Sequence, residues 1–154
     1  VVSFAAVPAH ERLSFWREMS SKMWMPLDAH CEPGLEGAFQ AHVALSGLGL
    51  VQATLLTAPS LTIRRTPHLI RRSDPETFFV TCTVRGHAIG EQAGRQADLR
   101  VGDLMLRDSS QPYLTTFESR GPRGRAGAVA AVSALLAATA RTGPARAQLG
   151  ADPG

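Results

Sequence analysis

Nine consecutive residues, Thr77–Arg85 (TFFVTCTVR), decide the fold class of this chain. All but Cys82 and Arg85 are β-branched or aromatic, side chains that crowd a helix but pack well on a pleated surface. Alternation puts Phe78, Val80, Cys82 and Val84 on one face, and Gly86 ends the run. Similar segments surround it. Phe39, Ala41, Val43 and Leu45 alternate with Gln40, His42, Ala44 and Ser46, and Gly47 and Gly49 make the following turn. Leu50–Thr57 and Leu61–Arg65 read as strands on either side of Ala58-Pro59-Ser60. Ala88–Gln92 and Gln96–Leu99 form a hairpin around Ala93-Gly94-Arg95. Val101-Gly102-Asp103 is a turn before Leu104–Arg107, and Pro112 precedes Tyr113–Phe117. Many short strands with a turn every 8–12 residues predict a β-sandwich or β-barrel.

One helix precedes the strands. Pro8 suits a first helical turn. Leu13, Trp16, Ser20 and Met23 recur at helical spacing, with Phe15 and Met19 beside them, and Pro26 stops the pattern. This predicts an amphipathic helix over about Ala9–Trp24. Its Trp and Met stripe suits a helix covering a sheet or barrel; a partner-binding groove is the other reading.

The chain's 154 residues amount to one domain, or one domain and a tail. No apolar run approaches the roughly 20 residues of a membrane helix, and no signal peptide stands at the start. Two cysteines, Cys31 and Cys82, are too few for a disulfide scaffold. These features predict a cytoplasmic protein without a membrane partner. Val1 in place of methionine points to a native start further upstream.

Composition breaks after Glu118. Residues 1–118 hold 11 Lys and Arg against 12 Asp and Glu, whereas residues 119–154 hold five Arg against Asp152 alone. The net charge of +3 therefore comes from the tail and gives no argument for a nucleic-acid-binding domain. Residues 119–154 also contain 11 Ala, six Gly and no aromatic residue. Within them Gly127–Arg141 (GAVAAVSALLAATAR) has the composition of a short helix.

Motifs for chemistry are sparse. His10, His30, His42, His68 and His87 show no metal-ligand spacing. Cys82 reads as a small strand hydrophobe. There is no GxSxG and no phosphate-cradling glycine loop. Asp103 reads as turn chemistry. The expectations are no catalytic residues, no metal, no cofactor and no enzyme. One stretch is unusual: TIRRTPHLIRRSDPE (Thr62–Glu76) carries Arg64, Arg65, Arg71 and Arg72. It is either an anion patch or an ordered loop whose arginines pair with Asp74, Glu76 and carbonyl groups.

That stretch, the later GRQADLRVGDLMLRDSSQPY and the helix RLSFWREM together resemble the amino-terminal domain of AraC-type bacterial transcription regulators, over about Phe4–Phe117. His68, where arginine is usual, and Val101, where proline is common, are small departures. The resemblance implies a mainly β, cupin-like jelly-roll barrel with an N-terminal covering helix. It implies a domain, residues 1–118, that senses a small effector and dimerises, and a separate helix-turn-helix half that reads DNA. Residues 119–154 are too short for that half, so this chain is expected not to bind specific DNA. It is expected to form a homodimer, or a mixed dimer with a full-length relative. Alternation nominates Phe39, Val43, Val80, Cys82, Leu104 and Leu106 as the lining of an effector pocket, or simply as barrel filling. The alternatives are a cupin-fold isomerase or dioxygenase, and a stand-alone small-molecule binding protein. The tail has two readings: a frameshifted, disordered readout, or a helix at Gly127–Arg141 that docks on the barrel or pairs two protomers.

Overall fold

A computed structural model describes residues 2–4, 6–32, 34, 36, 39–49, 51–119 and 129–137. Its elements are β1 (Val2–Ser3), a 3-10 turn (Ala9–Glu11), α1 (Arg12–Met23), β2 (Asp28–Cys31), β3 (His42–Leu48), β4 (Val51–Ala58) and β5 (Leu61–Arg65). They continue with α2 (Pro67–Arg72), β6 (Thr77–Arg85), β7 (His87–Gln92), β8 (Arg95–Leu99), β9 (Leu104–Asp108), β10 (Tyr113–Glu118) and β11 (Val129–Ala137). The strands form two antiparallel sheets, ordered β1-β3-β4-β11-β6-β9 and β2-β5-β10-β7-β8. The expected mainly β jelly roll with a covering helix is what forms.

The core lies between the sheets. Thr54, Leu56 and Ala58 of β4 and Thr77, Phe79, Thr81 and Thr83 of β6 are buried from one side. Leu61, Ile63 and Arg65 of β5 and Tyr113, Thr115 and Phe117 of β10 are buried from the other. The predicted helix is present, and its stripe buries Leu13, Trp16, Met19 and Ser20. Trp16 meets Phe4, Trp24 and Phe39 at ring separations of 6.3, 5.8 and 6.5 Å. Arg17 fastens the helix to β2, its Nε donating to the Ala29 carbonyl at 2.8 Å. The β7–β8 hairpin turns on Ala93 (φ 53°) and Gly94 (φ 72°). Two successive left-handed residues match the twist of a two-residue hairpin.

The strand predicted from Phe39 begins at His42, although Phe39 and Ala41 are fully buried just before it. The tail departs further from expectation. Val129–Ala137, read as part of a helix or of a disordered segment, is a strand. It pairs with β4 along one edge and β6 along the other, with one irregularity at Ala130/Ala131. A nine-residue apolar run serves equally well as a buried helix or a central strand, so periodicity could not separate them. The open edges of β4 and β6 decide for the strand, because their backbone groups need partners. The remainder of 119–154 beyond Ser119 lies outside the described residues.

Candidate functional site

Between the sheets, beneath α1, lies a cavity of about 70 Å³. Its wall is mostly apolar, including Met25, Leu27, Leu56, Ile63 and Phe117. Into it β9 projects Arg107, only 6% exposed. The sequence LMLRD turns its leucines outward and its arginine inward: Leu104 and Leu106 are 66% and 64% exposed. Arg107 Nη1 donates to Thr115 Oγ1 at 2.5 Å across the gap between sheets, and Nη2 donates to Thr81 Oγ1 at 2.7 Å. The guanidinium lies over the Phe79 and Tyr113 rings, 4.8 and 4.9 Å from their centroids. Such cation–π contacts partly offset lost hydration.

The electrostatics of this site are unbalanced. Burial pushes the Arg107 pKa down and the Tyr113 pKa up. A guanidinium keeps its charge in such surroundings. No carboxylate among the described residues pairs with it. Its Nε has no hydrogen-bond acceptor, and two other cavity residues also present bare buried polar atoms, Trp24 Nε1 and Thr54 Oγ1. Buried polar groups are nearly always satisfied; of the five bare ones among the described residues, these three belong to residues that line the cavity, and the other two are Thr83 Oγ1 and His87 Nδ1.

The six residues nominated from alternation are not brought together here. Phe39 and Val43 are fully buried in the core but do not line the cavity. Val80, Cys82, Leu104 and Leu106 lie on the outer face of their sheet, where Val80 pairs with Leu106 and Cys82 with Leu104. The face choice fails for a physical reason. The inward face of β6 carries Thr77, Thr81 and Thr83 around Phe79, so the more hydrophobic side of that strand is the outer one. The missed residues are Arg107, Thr81, Thr115, Trp24 and Thr54. Their one sequence signal is the threonine row opposite Val80 and Cys82, which suits the lining of a polar interior.

The arginine-rich stretch is not a loop but the end of β5 followed by the short helix α2, and among the described residues its arginines do not form the expected ion pairs. Arg65 is 1% exposed, and its Nε, Nη1 and Nη2 donate to the carbonyls of Ser109, Pro26 and Ser73 at 3.1, 2.9 and 2.6 Å. Thr66 caps α2, its Oγ1 accepting from the Leu69 N–H at 3.3 Å, with Pro67 following. Asp74 Oδ1 accepts from Ser109 Oγ, Ser110 Oγ and the Glu76 N–H. Arg64, Arg71 and Arg72 are exposed.

Among the described residues no three His, Cys, Asp or Glu side chains gather as a metal site. His87 stands with Asp98 2.5 Å from Nε2 and Glu118 3.5 Å from Nδ1. Burial pushes the Cys31 thiol up to about 11, with Glu36 adding to the shift and Arg17 opposing it. At pH 8 only about one Cys31 in a thousand is then thiolate. A thiolate of higher pKa is also the stronger nucleophile, which returns about a factor of ten, so Cys31 is expected to react with a disulfide reagent at pH 8 roughly 10–30 times more slowly than a free cysteine. The measurement is the time course of labelling in a Cys82→Ser variant; labelling as fast as free cysteine would contradict it.

The AraC-binding-like domain family matches residues 16–152. An uncharacterised protein of the nit 5′ region of Bacillus sp. strain OxB-1 is 31% identical over 113 residues, covering 73% of this chain and 43% of that protein. The crystal structure of the AraC-like transcriptional activator CuxR superposes with a TM-score of 0.70 at 19% identity, covering 88% of this chain and 46% of CuxR. A cupin superfamily protein from Desulfitobacterium hafniense DCB-2 gives a TM-score of 0.46 at 12% identity, covering 63% of this chain and 77% of that one. The chain thus spans less than half the length of the Bacillus protein and of CuxR. Among the described residues no helix is long and apolar enough to cross a membrane.

Proposed function

From membership of the AraC-binding-like domain family, to which this chain belongs over residues 16–152, we propose that it is the effector-sensing and dimerising part of an AraC-type transcription regulator. The observation that carries the sensing role is the cavity between the sheets, an apolar chamber holding a buried guanidinium and unpaired polar atoms. Small-molecule sites have this make-up: mostly apolar walls with a few polar groups that fix orientation. Binding there would be felt by both sheets, because Arg107 of one sheet holds Thr115 of the other. In this reading the DNA-reading function belongs to a different half of the regulator. This chain associates with a second copy or with a full-length relative, in the cytoplasm.

A thermal-shift screen of small acids, amides, amines, alcohols and sugars tests the sensing role. Hits are expected to raise the melting temperature and to perturb tryptophan fluorescence, because both tryptophans of the chain, Trp16 and Trp24, line the cavity. Failure of every compound class would sink the reading. Light scattering tests the dimer: the expected mass is that of two chains, and a monomer at 100 μM would remove the dimerising role.

A further inference from the structure

We propose that the barrel cavity binds a small aliphatic carboxylate, with the carboxylate on Arg107 and its short carbon body among Leu56, Ile63 and Phe117. The inference rests on the reading of the cavity as the effector site and names the chemical class of the effector.

The argument begins with two arginines in one molecule. Arg65 and Arg107 are both buried, at 1% and 6% exposure. Arg65 is a structural arginine, with a backbone carbonyl on each of its three nitrogens. Arg107 is differently supplied. Two neutral threonine hydroxyls accept from its Nη atoms, two aromatic rings lie against it, and its Nε has nothing. A buried charge without a counter-charge is among the costlier features a core can contain. The two hydroxyl bonds of Arg107 tie β9 to β6 and β10, but they leave Nε without an acceptor and the charge without a counter-charge.

What is missing can be read from the unpaired atoms. Arg107 Nε and Trp24 Nε1 can only donate, and Thr54 Oγ1 can do either. A chamber with surplus donors and one positive charge wants an acceptor that carries one negative charge. A carboxylate is such a group, and it matches the planar guanidinium fork. A phosphate of charge near two would leave half of its charge uncompensated. Size sets the other limit. The cavity, at about 70 Å³, is roughly half the ~150 Å³ of an apolar cavity that accepts benzene. A chain of a few carbons fits, and the apolar lining suits it.

The experiment follows tryptophan fluorescence and thermal melting of the full chain with sodium butyrate and with butyramide, at matched ionic strength. The two probes share a shape and differ in charge. Butyrate is expected to saturate and to bind at least tenfold more tightly than butyramide. Arg107→Met, which replaces the charge with an apolar chain, is expected to keep a cooperative melt and to lose at least tenfold in butyrate affinity, a larger loss than for butyramide. Unaltered butyrate binding in Arg107→Met would overturn the proposal. If that variant does not fold, Trp24→Phe and Thr54→Val decide, since both leave Arg107 in place. A threefold or greater loss of butyrate affinity in either supports the site, and no change in both overturns it. Saturable binding of a neutral compound with no response to butyrate overturns the carboxylate and leaves the sensing role standing. No response to any compound class removes both.

Discussion

A chain ended at Glu118 is expected not to fold. The compositional break after that residue invites a cut there, but the cut removes β11, which lies between β4 and β6. Without it the six-stranded sheet separates into β1-β3-β4 and β6-β9. Every backbone group of β4 and β6 that now faces β11 loses its partner at the edge of a buried core. The loss of a central strand exceeds the ~5–15 kcal/mol by which a domain of this size is stable. Residues 1–118 should give poorly dispersed amide NMR signals, no cooperative melt and rapid proteolysis. A gentler variant makes the same point in the full chain. Ala134→Pro removes one N–H from the middle of a strand paired on both sides and should cost about 3 kcal/mol or more. A cooperative melt in the 1–118 fragment at the full-length temperature would show that β11 is dispensable.

Arg65→Ala should be the most damaging single truncation in the arginine-rich stretch. Arg65 ties three connections together: Pro26 before β2, Ser73 after α2 and Ser109 after β9. Its removal leaves three carbonyls without their donors and a cavity the size of the lost side chain. Hydrogen bonds from a charged group contribute about 1.5–3 kcal/mol each. Allowing for water that enters the gap, the expected loss is on the order of 3–5 kcal/mol, or a melting point lower by roughly 10–15 °C. Arg65→Lys should recover only part of this, because one ammonium cannot reproduce the fork. Arg64→Ala, on an exposed neighbour, should change little. Thermal and urea melts of the three variants make the comparison, and an Arg65→Ala melt within about 2 °C of the parent would refute the clamp.

Arg65 and Arg107 show where sequence reading works and where it stops. The block around Arg65 is conspicuous because four arginines crowd into nine positions. The structure makes only one of them a buried structural group. Arg107 has no such setting. In LMLRD the leucines look like the buried face and the arginine like the wet one, and the real strand has the opposite parity. Hydrophobic alternation assigns faces on the assumption that the more apolar side is inside. A barrel that keeps a polar group at its centre violates that assumption on the strands around the group, here β6 and β9. The nomination of Val80, Cys82, Leu104 and Leu106 fails together for this one reason, while Phe39 and Val43, away from that centre, are buried as expected.

The sequence by itself determined the strand-rich class, the covering helix with Leu13, Trp16 and Ser20 beneath it, and the strands Leu61–Arg65 and Thr77–Arg85 to the residue. These follow from local causes: side-chain branching, periodicity, and glycine or proline at the turns. Only the tertiary structure decided that the alanine-rich run 129–137 is a strand, since its propensity is outweighed by two open sheet edges. Only it decided which face of β6 and β9 is inside. It also brought Trp24, Thr54 and Arg107, from three distant parts of the chain, around one cavity. Each of these depends on what lies opposite a residue in space, a relation that neighbours along the chain do not encode.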